Sequence, residues 1–258
     1  MSLFRKFVDA NIRWSQRFDT LLPSALREDG NKWYIREYLP KTLRDGITVY
    51  NLGGGSQPYI SRDDKERHNI TLVGLDIDAR ELAAAPPGIY DRMIVADLCG
   101  YSGAGDADAV VCMAVLEHLH DVAGATKAIA STLKPGGRAY IFAPSRNALF
   151  ARLNIALPQE MKKRILYAFL PGKSEGHDGF MAYYDRCTPS EFEALVKENG
   201  LEIEERRLFW ISSYFSVLAP AYIAWRIMQG LAYLALRDDA AETFAYVLQK
   251  PDLKAQHG

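Results

Sequence analysis

Five runs of β-favouring residues alternate with helical or turn-rich sequence in the first part of the chain, and this alternation constrains the fold more than any other feature. Short apolar runs separated by helices are typical of a mostly parallel sheet that is covered on both faces. We therefore predict a doubly wound α/β fold. The five runs are Ile47–Leu52, Thr71–Asp76, Arg92–Val95, Ala109–Met113 and Arg138–Ala143, and two later strands are expected at Leu201–Phe209 and Thr243–Leu248.

The chain has 258 residues, of which 48% are hydrophobic, and this is enough for one domain with a sizeable core. We predict a single domain over residues 1–258 with three regions. Residues 1–45 form an N-terminal helical cap with helices at 3–22 and 31–43, and residues 46–145 form the core. Residues 146–258 contain a helix at 189–199 and the two later strands.

The charges are nearly balanced, with 31 Lys and Arg residues against 32 Asp and Glu residues, so no bulk field would attract nucleic acid. Cys99, Cys112 and Cys187 are far apart and odd in number, which favours a reducing compartment over a disulfide framework. The N-terminal sequence has no unbroken apolar run of signal-peptide length. These features predict a cytoplasmic protein.

The turn after the first predicted strand holds three consecutive glycines, in VYNLGGGSQPY at residues 49–59. Such a run permits positive φ and a close approach of ligand to backbone, although a tight turn without a ligand is the simpler interpretation. Asp76, which is 25 residues after Asn51, favours a nucleotide because its carboxylate suits ribose hydroxyls. Pro58 replaces the third glycine of a dinucleotide motif, which argues against a pyrophosphate, and it suits the first position of a helix.

Five motifs in this order resemble those of the class I S-adenosylmethionine-dependent methyltransferases. They are VYNLGGGSQP, VGLDID, IVADL, DAVVCMAVLEHLHD and LKPGGRAYIFAP, and together they extend from Val49 to Pro144. The stretch GHDGFMAYYDRCTPSEFEALVKENGLEIEE matches the same family more loosely. The resemblance implies a Rossmann-like, mostly parallel sheet of seven strands whose last strand is antiparallel. It also implies S-adenosylmethionine as the cofactor and methyl transfer as the reaction.

The resemblance further implies which residues bind the cofactor. The glycines would lie under its methionine part, Asp76 would bind the ribose, and Asp97 would contact the adenine. The full expected set is Asn51, Gly53, Gly54, Gly55, Asp76, Ile77, Asp97, Leu98, Met113 and Ala114. Two positions depart from the family: Asn51 stands where Asp is usual, which removes a negative charge near the amino end of the cofactor, and Gln57 stands where Gly is frequent.

Two histidines are candidate catalytic bases, because methyl transfer to a hydroxyl requires removal of its proton. His118 follows the fourth strand in VLEHLHD, where it could face the acceptor or simply support the neighbouring helix. His177 lies in the polar loop GKSEGHDGFMAYYDR, which could be the rim of an acceptor pocket or a solvated connection. No metal site is predicted, since His118 and His120 would lie on different helix faces and no His/Cys cluster has ligand spacing.

Residues 208–236 form an apolar insertion before the last predicted strand. The predicted topology argues against a single membrane crossing, because strands of one sheet would then lie on opposite sides of a bilayer. Arg226, Gln229 and Tyr233 form one narrow polar stripe, which is typical of a buried or interfacial helix. Three interpretations remain: core or homodimer interface, a cover over an apolar acceptor pocket, and a shallow anchor at the inner face of the membrane. In the last case the basic, aromatic N-terminal helix would add attraction to an anionic leaflet.

These observations predict an enzyme that transfers a methyl group from S-adenosylmethionine to a small-molecule, saccharide or lipid-linked acceptor. Oxygen is the favoured acceptor atom and nitrogen the less favoured alternative. A regulatory protein that binds S-adenosylmethionine without transfer is the alternative from a different class, and Asn51 and the absence of an unambiguous base favour it. A nicotinamide-dependent reductase is a weaker alternative because of Pro58.

Overall fold

The computed structural model describes residues 3–156, 181–211 and 216–252, and its centre is one seven-stranded sheet. The strands are β1 (Thr48–Leu52), β2 (Thr71–Asp76), β3 (Arg92–Val95), β4 (Ala107–Met113), β5 (Leu133–Pro144), β6 (Glu202–Phe209) and β7 (Thr243–Gln249). Their order across the sheet is β3-β2-β1-β4-β5-β7-β6. Strands β1 to β5 pair in parallel, whereas β7 runs antiparallel to both β5 and β6. The predicted doubly wound sheet with an antiparallel last strand is confirmed.

Helices and single 3₁₀ turns connect the strands. The helices of the described residues are α1 (Leu3–Asp19), α2 (Gly30–Glu37), α3 (Arg62–Arg67), α4 (Ala79–Ala83), α5 (Val122–Thr132), α6 (Leu149–Ala156), α7 (Pro189–Glu198) and α8 (Ala219–Leu236). The 3₁₀ turns are Ser24–Leu26, Leu39–Thr42, Leu116–His118 and Arg237–Ala240. Local sequence explains α7, for example: the Thr188 side chain accepts a hydrogen bond from Glu191 N, and Pro189 occupies the first turn.

The sheet has an apolar layer on each face, because alternate strand residues point to opposite sides. Leu52 of β1 belongs to the layer that includes residues of α5 and α7. Val49, three residues earlier, belongs to the layer that includes residues of α2 and α4. The sheet is therefore covered on both sides, as the alternation of runs and helices predicts.

Some element boundaries differ from the prediction for local reasons. The second helix was expected to reach Leu43, but α2 ends at Glu37 and a 3₁₀ turn containing Pro40 follows, since proline lacks the N–H that an α-helix requires. The predicted strand Leu201–Phe209 and the predicted insertion 208–236 overlap at Leu208 and Phe209, and the structure places both residues in β6. The helical part of the insertion is α8.

The chain after the glycine loop also differs from the prediction. Pro58 does not begin a helix, and our expectation on this point was wrong. The helix α3 begins at Arg62, because the Ser61 side chain accepts a hydrogen bond from Asp64 N and so caps the first turn there. The connection between β1 and α3, from Gly53 to Ser61, is therefore a long loop and not the short turn of a typical strand–helix connection.

The helices α1 and α8 are held together by a buried ion pair. Arg226 Nε and Nη2 lie 3.0 and 2.8 Å from Asp19 Oδ1, and the Tyr222 hydroxyl donates to the other carboxylate oxygen. Arg226 Nη1 also donates to the carbonyl oxygen of Trp210, directly after β6, at 2.7 Å. The N-terminal cap and the insertion therefore form one unit at the β6 side of the sheet. Within the described ranges, no helix combines the length and apolarity needed to cross a bilayer.

Candidate active site

The parallel strands end at one edge of the sheet, which we call the carboxyl edge. Ligands of open α/β sheets bind in the crevice outside this edge. Gly53 follows β1, Asp76 ends β2, and Ala114 follows β4, so the fold brings these predicted residues to the same edge. Asp97 lies two residues after β3, at the same edge.

The glycine loop requires glycine at two positions for its backbone conformation. Gly53 and Gly55 have φ angles of 65° and 46°, in the left-handed region that side chains disfavour. A β-carbon added at Gly53 would also lie 2.6 Å from Val115 Cγ2. Gly53 itself is exposed, so its backbone forms part of the crevice wall.

Gly54 is required for a different reason, because the side chain of Asn51 fills the space beneath it. A β-carbon at residue 54 would stand 1.9 Å from Asn51 Nδ2. Asn51 Nδ2 donates to the Tyr90 hydroxyl, which donates to the carbonyl oxygen of Gly55, each at 3.1 Å. The hydroxyl has one proton and gives it to Gly55, so residue 51 must be a donor. An amide meets this need and an ionised Asp does not, which gives a physical reason for the departure from the family at this position.

Two carboxylates face the glycine loop. Asp76 Oδ2 lies 3.3 Å from the position of a β-carbon at Gly55, and Asp76 is only 8% exposed. Burial raises the pKa of Asp76 above its usual value, and the nearby charge of Glu81 raises it further. Glu81 Oε2 accepts a hydrogen bond from Ser56 Oγ at 2.8 Å. Glu81, which sequence reasoning missed, therefore supplies a negative charge beside the loop where Asn51 lacks one.

The remaining predicted cofactor residues divide into exposed and buried ones. Ile77 is 61% exposed although it is apolar, and Ala114 and Asp97 are exposed as well. Leu98 and Met113 are each 4% exposed and support the crevice from the core. Ile77 is an exposed apolar side chain close to the acidic residues Asp76 and Asp97. This combination fits an adenosyl ligand, because the adenine ring needs an apolar surface and the ribose hydroxyls need hydrogen-bond acceptors. The residues present therefore fit S-adenosylmethionine.

The fold also brings together a polar group that sequence spacing does not reveal. Donor atoms of Asp97, Cys99 and His120 lie within 4.8 Å of one another, and Cys99 Sγ is 3.7 Å from His120 Nδ1. Cys99 follows β3 and His120 follows β4, so only the tertiary structure places them side by side. Burial raises the pKa of Cys99, so it stays a thiol at neutral pH. Together the three side chains form a polar rim at the predicted adenine end of the crevice.

His118, a predicted base, lies in the 3₁₀ turn after β4. Its Nδ1 is 3.1 Å from the carbonyl oxygen of Met181, and its Nε2 is 3.8 Å from Glu117 Oε1. Glu117 is 6% exposed, and burial raises its pKa to about 8. Its backbone oxygen accepts from the N–H groups of Tyr183 and Tyr184, which fixes the loop beside His118. The other predicted base, His177, lies outside the described residues.

The sheet order, its antiparallel β7 and a glycine loop facing an acidic residue at the end of β2 define the class I methyltransferase fold. Residues 27–206 match the model of a family described as a methyltransferase domain. The chain therefore belongs to the class I S-adenosylmethionine-dependent methyltransferases, and the methyl donor of that family is S-adenosylmethionine.

Among curated relatives, the chain is similar to ubiquinone biosynthesis O-methyltransferases. The one from Thiobacillus denitrificans is 28% identical over 142 residues, covering 52% of this chain and 56% of the relative. The one from Cupriavidus pinatubonensis is 25% identical, and the match covers 63% of each chain. The one from Xylella fastidiosa strain M23 is 33% identical over 176 residues, covering 66% of this chain and 67% of the relative. The chain thus spans less than two thirds of the first two relatives.

Solved structures support the fold. A geranyl diphosphate C-methyltransferase from Streptomyces coelicolor aligns with a TM-score of 0.55 and 12% identity, covering 85% of this chain and 79% of that one. An S-adenosylmethionine-dependent methyltransferase from Mesorhizobium loti aligns with a TM-score of 0.53 and 17% identity, covering 87% and 99%. At these identities the likeness concerns the fold alone.

Proposed function

We propose that this protein transfers a methyl group from S-adenosylmethionine to a hydroxyl oxygen of a small or lipid-linked acceptor, with His118 as the base. The observation that carries the proposal is the contact between His118 Nδ1 and the carbonyl oxygen of Met181. A carbonyl oxygen only accepts hydrogen bonds, so Nδ1 carries the proton and Nε2 presents a lone pair. The names of the curated relatives, which are O-methyltransferases, support oxygen as the methylated atom.

When bound, the cofactor supplies an already activated methyl group, so the protein mainly orients the acceptor and removes its proton. Gly53, Gly55, Asp76 and Ile77 would hold the cofactor. His118 Nε2 would take the proton of the acceptor hydroxyl. The imidazolium that forms lies 3.8 Å from Glu117 Oε1. Opposite charges at that distance attract, so the ionised fraction of this carboxyl group, which grows as the pH approaches its pKa of about 8, stabilises the imidazolium.

Methyl transfer from labelled S-adenosylmethionine to catechols and to hydroxylated saccharides and lipids tests this proposal. Substitution His118→Gln should lower kcat by about 100-fold or more, since a positioned base contributes roughly that factor. The matched control is His68→Gln, because His68 is paired with Asp45 away from the carboxyl edge. If both variants transfer the methyl group equally fast, His118 is not the catalytic base. Cofactor binding without transfer to any acceptor would favour the regulatory alternative.

We also propose that α1 and α8 contact an anionic membrane surface. The outer face of α8 is apolar: Ile227 is 59%, Leu231 62% and Leu234 66% exposed. On the neighbouring α1, Trp14 is 63% exposed and lies beside the exposed Arg17, whose guanidinium carbon is 5.6 Å from the Trp14 ring centre. Apolar and aromatic side chains next to basic ones are what an interfacial helix presents to anionic lipids.

Sedimentation with vesicles of phosphatidylglycerol and phosphatidylcholine tests this contact. The double substitution Leu231→Glu and Leu234→Glu should abolish sedimentation, whereas Ile35→Glu, an equally polar change at a 48% exposed position of α2, should not. A homodimer through the same face is the competing interpretation. If the wild-type protein ignores vesicles and elutes as a dimer that the double substitution separates, the homodimer replaces the membrane contact.

A further inference from the structure

A thiol, an imidazole and a carboxylate converge at the carboxyl edge, between the loop after β3 and the segment after β4. Cys99 Sγ lies 3.7 Å from His120 Nδ1, and a carboxylate oxygen of Asp97 lies within 4.8 Å of both atoms. Asp97 and His120 are exposed and Cys99 is half-buried, so solvent reaches all three side chains. The proposed mechanism assigns no role to Cys99 or His120.

The distance between the sulfur and the nitrogen fits a shared zinc ion. With a Zn–S bond of about 2.3 Å and a Zn–N bond of about 2.0–2.1 Å, two such ligands of a tetrahedral ion lie about 3.6 Å apart. The observed 3.7 Å therefore requires almost no movement. A small rotation of the exposed Asp97 side chain would bring its oxygen to the separation of about 3.4–3.6 Å that a third ligand needs.

The chemistry of the three donors selects zinc over the hard cations. Magnesium and calcium take oxygen ligands, whereas thiolate and imidazole suit zinc. A cysteine releases its proton when it binds a metal, so the thiolate and the carboxylate would together balance the two charges of the ion. Three protein ligands and a water in the fourth position form a common open zinc site.

The backbone holds the thiol and the imidazole in place. Cys99 N donates to Asp97 Oδ1 at 2.9 Å, so these two residues share one turn. The carbonyl oxygen of Cys99 packs against Gly124 in the first turn of α5, where a β-carbon would stand 2.2 Å from it. His120 directly precedes Asp121, whose side chain caps the same helix. The donors on both segments are therefore positioned relative to the start of α5.

From these observations we infer that Asp97, Cys99 and His120 bind a Zn²⁺ ion and that this ion competes with the S-adenosyl cofactor. Competition follows because Asp97 is also the residue predicted to contact the adenine, so both ligands require the same carboxylate. This second part rests on the proposed function, whereas zinc binding itself does not. The sequence predicts no metal site here, because Cys99 and His120 are 21 residues apart and follow different strands.

Cobalt(II) is the spectroscopic probe of the site, since a cobalt–thiolate bond adds a charge-transfer band in the near ultraviolet. The full-length protein without an affinity tag is titrated with Co²⁺, and the band should appear in the wild-type protein and be missing in Cys99→Ala. Cys187→Ala is the matched control and should keep the band, because that thiol is fully buried. A wild-type protein without the band would overturn the inference and reduce the cluster to a hydrogen-bonded pair.

Competition with a chromophoric chelator gives the dissociation constant for Zn²⁺. Asp97→Asn and His120→Gln should each weaken zinc binding at least about tenfold, since even the loss of an outer-shell partner costs about 10–100-fold. The control is His68→Gln, because His68 Nδ1 lies 2.7 Å from Asp45 Oδ1 in a pair that has no thiol. Equal zinc affinity in the wild-type protein and the His120 variant would overturn the site.

Calorimetry with S-adenosylhomocysteine tests the competition. Zn²⁺ at ten times its dissociation constant should weaken binding of this ligand to the wild-type protein by about tenfold. Cys99→Ala keeps Asp97 and should show no effect of zinc. Zinc binding that leaves the affinity for S-adenosylhomocysteine unchanged would overturn the competition. Because the cobalt and zinc titrations contain no methyl donor or acceptor, their failure would leave the proposed methyl transfer intact.

Discussion

Asn51 and Gly54 share one space: the amide of Asn51 occupies the volume that any side chain at residue 54 would need, with 1.9 Å between Nδ2 and the position of the missing β-carbon. The same amide holds the loop through Tyr90, whose hydroxyl reaches the carbonyl oxygen of Gly55. The shape of the glycine loop therefore depends on a buried neutral side chain beneath it.

Gly54→Ala should displace Asn51 and break this connection. We expect a loss of stability of about 1–3 kcal/mol, as for other overpacked cores, and weaker binding of S-adenosylhomocysteine. Urea denaturation and calorimetry measure the two effects. Gly100→Ala is the control, because a β-carbon at Gly100 meets no described atom of the protein within 4 Å. If the Asn51 side chain is the obstacle, Gly54→Ala should lower the free energy of unfolding less in an Asn51→Ala background than in the wild-type protein. An identical loss of stability in both backgrounds would show that Asn51 does not occupy the space that a side chain at residue 54 needs.

Asp76→Ala should abolish the stabilisation by S-adenosylhomocysteine, because the ribose hydroxyls would lose their acceptor at the end of β2. For the wild-type protein, ligand at 100 times its dissociation constant adds about 2.7 kcal/mol to stability. Thermal unfolding with and without ligand measures the shift. Asp63→Ala on α3 is the control, since that carboxylate is exposed and lies outside the crevice. If S-adenosylhomocysteine stabilises the Asp76 variant as much as the wild-type protein, Asp76 does not bind the ligand.

The strands and the place of Asp76 at the crevice could be predicted from the sequence because they depend on local patterns. Asp76, for example, ends an apolar run, and a parallel sheet places all such ends at one edge. The role of Asn51 could not be predicted, because it depends on a hydroxyl 39 residues away. The expected helix at Pro58 was wrong because Ser61 provides a better cap three residues later.

The buried face of α8 could not be predicted from the sequence either. Its polar stripe was visible in the sequence, but the partner of Arg226 is Asp19, 207 residues away. The pairing turns Arg226 and Gln229 towards the protein interior and leaves Ile227 and Leu231 exposed. Hydrophobicity alone would predict that the two apolar residues are buried and the two polar ones exposed. Only the tertiary contact determines which face of α8 is buried.

Asp19→Ala should destabilise the protein by about 3–5 kcal/mol, because Arg226 would remain as a buried charge without its carboxylate. Urea denaturation measures the change. Glu28→Ala is the control: its ion pair with Arg36 is exposed, so little change is expected. Replacing both partners, Asp19→Leu with Arg226→Met, should recover part of the loss. A double variant less stable than Asp19→Ala alone would show that the charge of Arg226 is not the cause.

Glu117 should make stability depend on pH. Burial raises its pKa in the folded protein to about 8, whereas an exposed Glu titrates near 4.3. Between these values the folded state keeps a proton that the unfolded state has released. The free energy of unfolding therefore falls as pH rises through this window, and it levels off above a pH of about 8.

The variant Glu117→Gln keeps the shape of the protonated side chain and cannot ionise. We expect it to be more stable than the wild-type protein by a few kcal/mol at a pH of about 8, with the difference shrinking as pH falls towards 5. Urea denaturation across this range measures the difference. Glu242, whose pKa is raised to about 7 by burial, titrates in both proteins, so its contribution cancels in the comparison. A stability difference that does not change with pH would mean that Glu117 is already ionised in the folded state.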